Sequence, residues 1–544
     1  QLMGRVQSVV ARANRKLTVQ FAAILLSSAL LASMVFGIIR IRLLTNFYYD
    51  TYPVGLDAYN AAFLLPDFMY FILVSGALSV TFIPVFNQRM ASGNKKSAWR
   101  LSTSLVNLMA LATLVASILI IIFAEPLIRF VIAPGLSESG TALAVSMMRV
   151  IAVNPFLFAV ATVIASIQQA VGRFTFYALA PIIYNLGIIT GILFFTNGIN
   201  IFGWQVFDGG IMGVALGVVF GSIMQLIVSS IGLIGLGFDY RFKIYWKNKG
   251  FRKVLSLLPA RSLDQGMDYV VGIVETNLAS RMAAGTLTAY NYATTLMMAP
   301  INLIGVAIST AAFPQMTERL SEGKTELFKS ELRTVLRVII WLSLPVAIIT
   351  FFTRGYVISF IKNEGDPLMA GLLGALTTVI LFRSIYYIAA RTFYAQQDTR
   401  TPLYISFFSI GLNIVLAVTF TAVLNMGAYG LAWAQSIMAA VEVVILFIVM
   451  SVRLGGLFDR TFWSGVWRMM SATGFMAIVS YCMVLIFPLQ AGASSSFYFT
   501  FPKFVLIVGV SIVAYVVFSR LLKLQEVNPI IKTVKRFTTG SVRS

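Results

Sequence analysis

The chain has 544 residues, of which 58% are hydrophobic and 11% are charged. Soluble domains are typically about 45–50% apolar and about 25% charged, so this composition predicts an integral membrane protein. Because a helix needs about 20 apolar residues to cross a bilayer, roughly fourteen crossings would use most of the chain and exclude a large soluble domain.

The formal charge is +21, and the basic residues fall mainly in short loops between apolar runs. We interpret them as topology signals and expect no nucleic-acid partner. Histidine is absent and the single cysteine, Cys482, lies in an apolar run, which excludes histidine catalysis, cysteine metal sites and disulfides. No P-loop motif is present. We therefore expect no cofactor, and expect Na+, H+ or the membrane potential to supply energy.

In chain order, residues 1–19 form a basic segment with apolar residues interspersed, which predicts an interfacial helix. The first apolar run lacks a small-residue cleavage pattern, so we expect a retained span rather than a signal peptide. Apolar runs separated by charge, glycine and proline predict about fourteen spans. They are 20–39, 59–86, 101–124, 142–170, 176–196, 210–237, 254–281, 287–312, 334–360, 367–390, 402–424, 427–451, 465–488 and 501–521.

The basic loops predict the orientation of these spans. With both termini in the cytoplasm, about 31 of the 41 Lys and Arg residues lie on the cytoplasmic side. An even number of crossings is therefore expected.

An internal repeat organises the spans. Residues 84–93 (PVFNQRMASG) recur 230 positions later as 314–323 (PQMTERLSEG). At an offset of 228, Gln168, Gln169 and Asn185 recur as Gln396, Gln397 and Asn413. Because an even number of spans separates the copies, they form a parallel repeat, as in some transporters.

The predicted fold is an all-α membrane protein of two six-helix lobes, followed by two further helices and a tail. The expected boundaries are 20–237 for the N-terminal lobe, 254–451 for the C-terminal lobe, 465–521 for the last two helices and 522–544 for a basic cytoplasmic tail.

The seventh predicted span carries four ionisable residues on one face. Arg261, Asp264, Asp268 and Glu275 fall within about 60° of helical rotation. Each charge would cost about 2.5–3.5 kcal/mol at the bilayer centre, so the stripe must face protein or water. We predict an aqueous cavity; a buried ion pair of Arg261 with Asp264 is the alternative.

Further polar residues are candidates for the same cavity. Asp57, Asn60 and Asp67 share a face of the second span, and Asp57 is equally placed to cap that helix. Arg40 and Arg42 point about 200° apart, so at most one faces the cavity.

The later spans add polar residues whose roles are open. Asn291 and Thr295 on the eighth span line the cavity or make ordinary interhelical hydrogen bonds. Arg383 and Glu442, inside the tenth and twelfth spans, face the cavity or form a structural pair.

Five motifs, in order and together with about fourteen spans, give the chain a family resemblance. They are GIIR at 37–40, DAYNAAFLLP at 57–66, GALSVTFIP at 76–84, GVAISTAAFP at 305–314 and ARTFYAQQDTRTP at 390–402. With these motifs the chain resembles the MurJ/MviN family of lipid II flippases, within the multidrug/oligosaccharidyl-lipid/polysaccharide exporter superfamily. The resemblance implies two lobes around a cationic cavity for a lipid-linked diphosphate, with helices thirteen and fourteen forming a groove for the polyprenyl tail.

The chain departs from the family pattern of arginines on spans one, two and eight. Arg40 matches the first, but the register places Tyr70 at the second position and Thr295 at the third. Our hypothesis is that Arg261 replaces a lost positive charge.

These observations predict a bacterial inner-membrane flippase that moves a lipid-linked peptidoglycan precursor outward by alternating access. The expected substrate is of the undecaprenyl-diphosphate type; membrane lipids and cell-wall synthesis enzymes are expected neighbours. The expected substrate-binding residues are Arg40, Arg261, Asp57, Asn60, Tyr70, Asn291 and Thr295, and the expected ion-coupling or cavity residues are Asp264, Asp268, Glu275 and Asp67.

Two alternatives stay open, one transporter in the same superfamily and one protein of a different class. The first is a cation-coupled exporter of drugs or of another lipid-linked glycan, with the acidic stripe as its coupling site. The second is a scaffold for cell-wall enzymes, which would not need a buried acidic stripe.

Overall fold

The structure is a computed structural model that describes residues 2–74, 77–489 and 496–539; the side chains at 19, 77, 79–80, 260–262 and 264–265 lie outside this description. It divides into two compact units, residues 1–288 and 289–544.

In the described part of the first unit, the regular structure is helical apart from one two-stranded hairpin. Its helices are α1 (Leu2–Ala13), α2 (Val19–Leu44), α3 (Pro53–Leu73), α4 (Ala77–Ala91), α5 (Lys95–Pro126), α6 (Glu138–Ile151), α7 (Asn154–Ala170), α8 (Thr175–Leu193), α9 (Met212–Ile231) and α10 (Lys249–Ser280). Strands β1 (Ile199–Ile201) and β2 (Trp204–Phe207) pair antiparallel between α8 and α9.

The second unit contains helices only, within the described residues. They are α11 (Thr286–Ile301), whose first turn belongs to the first unit, α12 (Ala307–Ser321), α13 (Thr325–Phe352), α14 (Arg354–Ser359), α15 (Pro367–Ala395), α16 (Arg400–Val418), α17 (Ala428–Leu454), α18 (Arg460–Ile486), α19 (Phe497–Leu521) and α20 (Asn528–Thr539).

Twelve helical segments among the described residues are long and apolar enough to cross a membrane. The two other predicted spans are also helical. The span predicted at 59–86 is divided between α3 and α4, on either side of residues that the structure does not describe. The span predicted at 254–281 is α10, whose charged stripe makes it less apolar than the twelve. A count of about fourteen is consistent with these helices.

The predicted span 142–170 is found as one membrane-spanning segment, Glu138–Ala170, which consists of two helices. α6 ends at Ile151 and α7 begins at Asn154, immediately before Pro155. A proline disfavours helical conformation in the residue before it, and it lacks the N–H that a continuous helix would use. By contrast with the break between α6 and α7, α15 in the second unit is a single unbroken helix.

The repeat at an offset of 230 is confirmed in the backbone. α4 and α12 are both 15 residues long, each with an internal proline and an arginine in its last turn. Each is followed by a glycine with positive φ, +79° at Gly93 and +72° at Gly323. In both copies the next backbone N–H donates to the carbonyl of the arginine.

The match at an offset of 228 is wrong in register. α8 and α16 are both 19 residues long and begin at 175 and 400, an offset of 225. Gln168 lies inside α7, whereas Gln396 follows the last residue of α15. The three-residue slip is close to one helical turn, so polar residues at similar spacing matched without being equivalent.

Each unit has its own apolar core. In the first unit the core lies among α4, α5, α7 and α10, with Phe82, Phe86 and Phe251 fully buried. In the second it lies among α13, α15, α17, α18 and α19. The expected C-terminal lobe begins at residue 254, within α10. In the structure, α10 packs within the first unit, against α3, α4 and α5.

Candidate functional site

Arg40 is held in place by a neutral amide on another helix. From α2, its Nη1 donates to Oδ1 of Asn185 on α8 at 2.9 Å. Asn185 is buried and is itself fixed, because its Nδ2 donates to the carbonyls of Ser33 and Pro181, each at 3.2 Å. The guanidinium orientation is therefore set by a group that carries no charge of its own.

A carboxylate lies near this arginine in the first unit, and three tyrosines lie near the carboxylate. Asp67 on α3 is half-buried and interacts electrostatically with Arg40. Tyr70, Tyr184 and Tyr269, from α3, α8 and α10, all lie within electrostatic range of Asp67. We call these residues, with Asn185, the Arg40 cluster.

The tyrosines of the cluster are positioned by contacts with neighbouring helices. The Tyr70 hydroxyl lies 2.6 Å from the Thr162 hydroxyl on α7. Tyr269 stacks on Phe71, with ring centroids 4.7 Å apart. Phenol and guanidinium groups are hydrogen-bond donors, so the tyrosines and Arg40 are suited to an anionic oxygen ligand.

The structure gives Asp57 a structural contact. It is not the N-cap of its own helix, because α3 begins at Pro53. Its carboxylate accepts from the N–H groups of Gly285 and Thr288 at 2.7 and 3.1 Å, and from the Thr288 hydroxyl at 2.7 Å. Asp57 is 3% exposed. It therefore caps the first turn of α11, whose N–H groups otherwise lack helical partners.

Asn60, one turn further along α3, joins the same contact. Its Nδ2 donates to the Thr288 hydroxyl at 3.1 Å and to the carbonyl of Leu56 at 3.0 Å. A substrate role for Asp57 and Asn60 stays a prediction, and the contacts that the structure shows for them anchor α11.

The acidic stripe of α10 is described in part. Asp268 is exposed, whereas Glu275 is 6% exposed. The side chains of Arg261 and Asp264 lie outside the described residues, so the predicted cavity face and the alternative Arg261–Asp264 pair both stay predictions.

The second unit contains the remaining predicted site residues. Asn291 and Thr295 are both exposed on α11, and the Thr295 hydroxyl donates to the carbonyl of Asn291 at 2.9 Å.

Arg383 and Glu442 form a structural pair. Arg383 on α15 and Glu442 on α17 are 3.5 Å apart, with side chains 14% and 4% exposed. The Ser406 hydroxyl on α16 donates to the same carboxylate at 3.2 Å. Of the two alternatives for these residues, the structural pair is therefore the one that the structure shows.

The segment 390–402, one of the resemblance motifs, builds a corner between α15, α16 and α17. Asp398 accepts from the Thr401 backbone and hydroxyl and from Arg453, whose Nη1 lies 2.7 Å away. Burial raises the pKa of Asp398, but these hydrogen bonds and the Arg453 charge outweigh it and lower the pKa to about 2. The carboxylate is thus ionised at neutral pH.

Sequence reasoning missed several residues of the Arg40 cluster. Tyr184 and Tyr269 of the cluster, and Thr162 beside Tyr70, are not among the predicted site residues, and Asn185 is predicted only as a repeat marker. The sequence signal that could have found them is a polar residue inside a long apolar run. Such a residue within a membrane usually has a partner in the protein.

The family model of the lipid II flippase MurJ matches residues 53–501. The chain belongs to this family. Its members are transporters rather than enzymes. The helical spans of the structure agree with membership, so the chain is a multi-pass membrane transporter.

Individual MurJ relatives are distant in sequence and similar over most of their length. The Thermotoga maritima protein named probable lipid II flippase MurJ is 25% identical over 490 residues, covering 88% of this chain and 91% of that one. A solved lipid II flippase MurJ in an inward closed conformation is 22% identical, with a TM-score of 0.73 over 92% of this chain and 98% of the other.

A broader structural similarity extends to the exporter superfamily. An inward-facing multidrug resistance MATE transporter of the MOP superfamily is 15% identical, with a TM-score of 0.66 over 78% of this chain and 94% of that one. At this identity the comparison shows a shared fold. The family match favours the MurJ assignment over the drug-exporter alternative.

At two of the three positions that the resemblance marks as arginine, the sequence has Tyr70 and Thr295. Tyr70 donates or accepts a hydrogen bond with Thr162, and Thr295 bonds to its own helix. Neither supplies a cation. Of the three positions that the resemblance marks as arginine, Arg40 is the one at which this sequence has an arginine.

Among the described residues no group of three or more Cys, Asp or Glu side chains is arranged to hold a metal ion.

Proposed function

We propose that this chain moves lipid II, a peptidoglycan precursor linked to undecaprenyl diphosphate, from the inner to the outer leaflet of the bacterial cytoplasmic membrane by alternating access. Membership of the MurJ family supports the reaction. The observation that carries the site is Arg40, fixed by the neutral side chain of Asn185.

The Arg40 cluster supplies the chemistry for a diphosphate. Charge-assisted hydrogen bonds from a guanidinium to phosphate oxygens are stronger than neutral ones and are strengthened where water is excluded. Asp67 competes for the same guanidinium, so a bound diphosphate takes its place as the counter-charge. The polyprenyl tail lies along α18 and α19, as the family resemblance implies.

The test is binding of undecaprenyl diphosphate to the purified protein in detergent, measured by native mass spectrometry. Loss of a charged hydrogen bond costs about 1.5–3 kcal/mol, so Arg40→Ala should weaken binding roughly ten- to hundredfold. Arg42→Ala is the matched control, since Arg42 lies two residues along the same helix and points away from Arg40. Equal binding by both variants and the unaltered protein would contradict the proposal.

Arg261 is the proposed replacement for the arginines lost at Tyr70 and Thr295. If it fulfils this role, Arg261→Ala should reduce transport of the lipid-linked precursor and Arg261→Lys should retain part of it. Undiminished transport by Arg261→Ala, or undiminished complementation in a depleted strain, would refute this role.

For energy, we infer coupling to Na+, H+ or the membrane potential, because the sequence carries no nucleotide-binding motif. Asp67, Asp264, Asp268 and Glu275 are the candidate coupling groups. Reconstituted vesicles with an imposed Na+, H+ or electrical gradient should transport faster than vesicles at equilibrium. A transport rate under each of the three gradients that equals the rate at equilibrium would exclude coupling. Cell-wall synthesis enzymes are the proposed neighbours that consume the exported precursor.

A further inference from the structure

The hairpin between α8 and α9 has one apolar face and one polar face. Ile201 pairs directly with Trp204, and Asn200 pairs with Gln205. Directly paired residues share a face of a two-stranded sheet, and side chains alternate along each strand. Ile201 and Trp204 therefore lie on one face, and Asn200 and Gln205 lie on the other. The register shifts between the Asn200–Gln205 and Ile199–Phe207 pairs, so Val206 lies at an irregularity and is not assigned to either face.

The apolar face and the tip of the hairpin are uncovered by the rest of the described chain. Ile201 is 50% exposed, Trp204 80%, Val206 65%, and Phe202 at the tip 99%. A single exposed apolar residue is ordinary, but four together on a small element indicate a surface that contacts something else.

Phe202, at the tip of the hairpin, has a backbone conformation that is unfavourable for its residue type. Phe202 and Gly203 have φ of +50° and +81°, as in the type I′ turn that favours Asn-Gly. A bulky aromatic residue is disfavoured at positive φ, and this one packs against no other ring or core residue that could offset the strain. A phenylalanine at this position is explained by a contact outside the chain.

The base of the hairpin is fixed to the ends of membrane-spanning helices. The N–H of Gly210 donates to the carbonyl of Thr196 at 2.9 Å, and the Thr196 side chain bonds Tyr48 from the segment after α2. A Cβ at Gly213 would lie 2.6 Å from the Phe195 backbone, so the chain is tightly packed where α9 begins. The hairpin therefore starts at the membrane boundary.

We propose that this hairpin is a membrane-surface anchor whose apolar face and Phe202 tip lie in the interfacial region of the leaflet in which α8 ends and α9 begins. Trp and other aromatic residues prefer this region, where an apolar body meets a polar boundary. Residues 199–207 carry no charge, as partial burial among lipids requires. Exposed Leu193 and Phe194 at the end of α8 continue the apolar surface to the base of the hairpin.

The dimensions favour a hairpin that lies along the surface. From base to tip the strands extend about 13 Å, since each residue advances about 3.3 Å. The interfacial layer on each side of the hydrocarbon core is only about 5–8 Å thick. An upright hairpin would carry Phe202 beyond the lipid, whereas a reclining one places the whole apolar face within it and turns Asn200 and Gln205 to water.

The experiment uses the full chain in lipid vesicles, with Cys482→Ser as background and a spin label at one introduced cysteine. Labels at Ile201→Cys and Phe202→Cys report the apolar face and the tip, and labels at Asn200→Cys and Gln205→Cys are the matched controls on the polar face. We expect the first two to collide severalfold more with oxygen than with a water-soluble nickel chelate, and the controls to show the reverse.

Two outcomes would overturn the proposal. Equal nickel accessibility at all four sites would show a hairpin in water. Protection of positions 201 and 202 from both oxygen and nickel would show contact with protein, which in a purified sample means a second copy of the chain. A further variant, Phe202→Asn with Trp204→Gln, suits the turn and keeps the fold, and should make a label at 201 accessible to nickel.

Discussion

Two arginines inside the spans show how a cation can be held for different purposes. Arg40 donates a hydrogen bond to the neutral amide of Asn185 and interacts electrostatically with Asp67. Arg383 lies 3.5 Å from the carboxylate of Glu442, which neutralises it within the protein. In the proposed function a diphosphate replaces Asp67 as the counter-charge of Arg40, whereas Glu442 stays paired with Arg383.

Asn185 should act through Arg40. Replacing it with leucine removes the acceptor for Nη1, so we expect Asn185→Leu to reduce transport by less than Arg40→Ala does. Because both changes act on one interaction, the double variant should be no worse than Arg40→Ala alone. Transport rates of the four proteins in vesicles provide the measurement, and additive losses would show that Asn185 has a separate role.

The Arg383–Glu442 pair should stabilise the second unit only as a pair. Arg383→Ala leaves a buried carboxylate without its counter-charge, and such changes typically cost about 3–5 kcal/mol. The combined variant Arg383→Met with Glu442→Leu should recover most of that loss. Thermal unfolding in detergent tests both; a single variant as stable as the parent would contradict the interpretation.

At the scale of elements, α8 and α9 pack through backbone contact. A Cβ at Gly187 would lie 2.2 Å from the Cα of Gly221, and one at Gly191 would lie 2.5 Å from the Cα of Gly217. Small residues that let backbones approach are typical of helix pairs in membranes. The same rigid pair carries the hairpin at one end and Asn185 along its length.

Substituting a glycine at this contact and a glycine away from it should have opposite effects on stability. Gly191→Ala should push α8 from α9 and destabilise the protein by about 1–3 kcal/mol, the usual cost of overpacking. Gly411 lies within α16, which has the same length as α8, and a Cβ there would meet nothing within 4 Å. Gly411→Ala should therefore be neutral or stabilising by up to about 1 kcal/mol. Unfolding temperatures of the two variants decide; a stable Gly191→Ala protein would argue against the contact.

At the scale of the whole molecule, the sequence predicted the number and class of helices because hydropathy and loop charge are local properties. Side-chain partners depend on helices distant in sequence, which explains why Asn185 was recognised only as a repeat marker and Tyr184 and Tyr269 were missed. Asp57 illustrates the same limit: local position suggested a cap for its own helix, whereas it caps α11, more than 200 residues later.

The predicted orientation is open to a direct labelling test. In a Cys482→Ser background, a membrane-impermeant maleimide added to intact cells, with the outer membrane permeabilised where one is present, should label Asp208→Cys but not Lys96→Cys. Asp208 follows the hairpin on the expected external side, and Lys96 lies in a basic loop on the expected cytoplasmic side. The reverse pattern would invert the proposed topology.

The central claim is that this chain carries a lipid-linked peptidoglycan precursor across the membrane. Its most direct test is the distribution of that precursor between leaflets when the protein is depleted from its host. We predict that lipid II accumulates on the cytoplasmic face, that the parent chain restores the distribution, and that a stably folded Arg40→Ala variant does not. An unchanged distribution after depletion, in cells with no other flippase, would contradict the account.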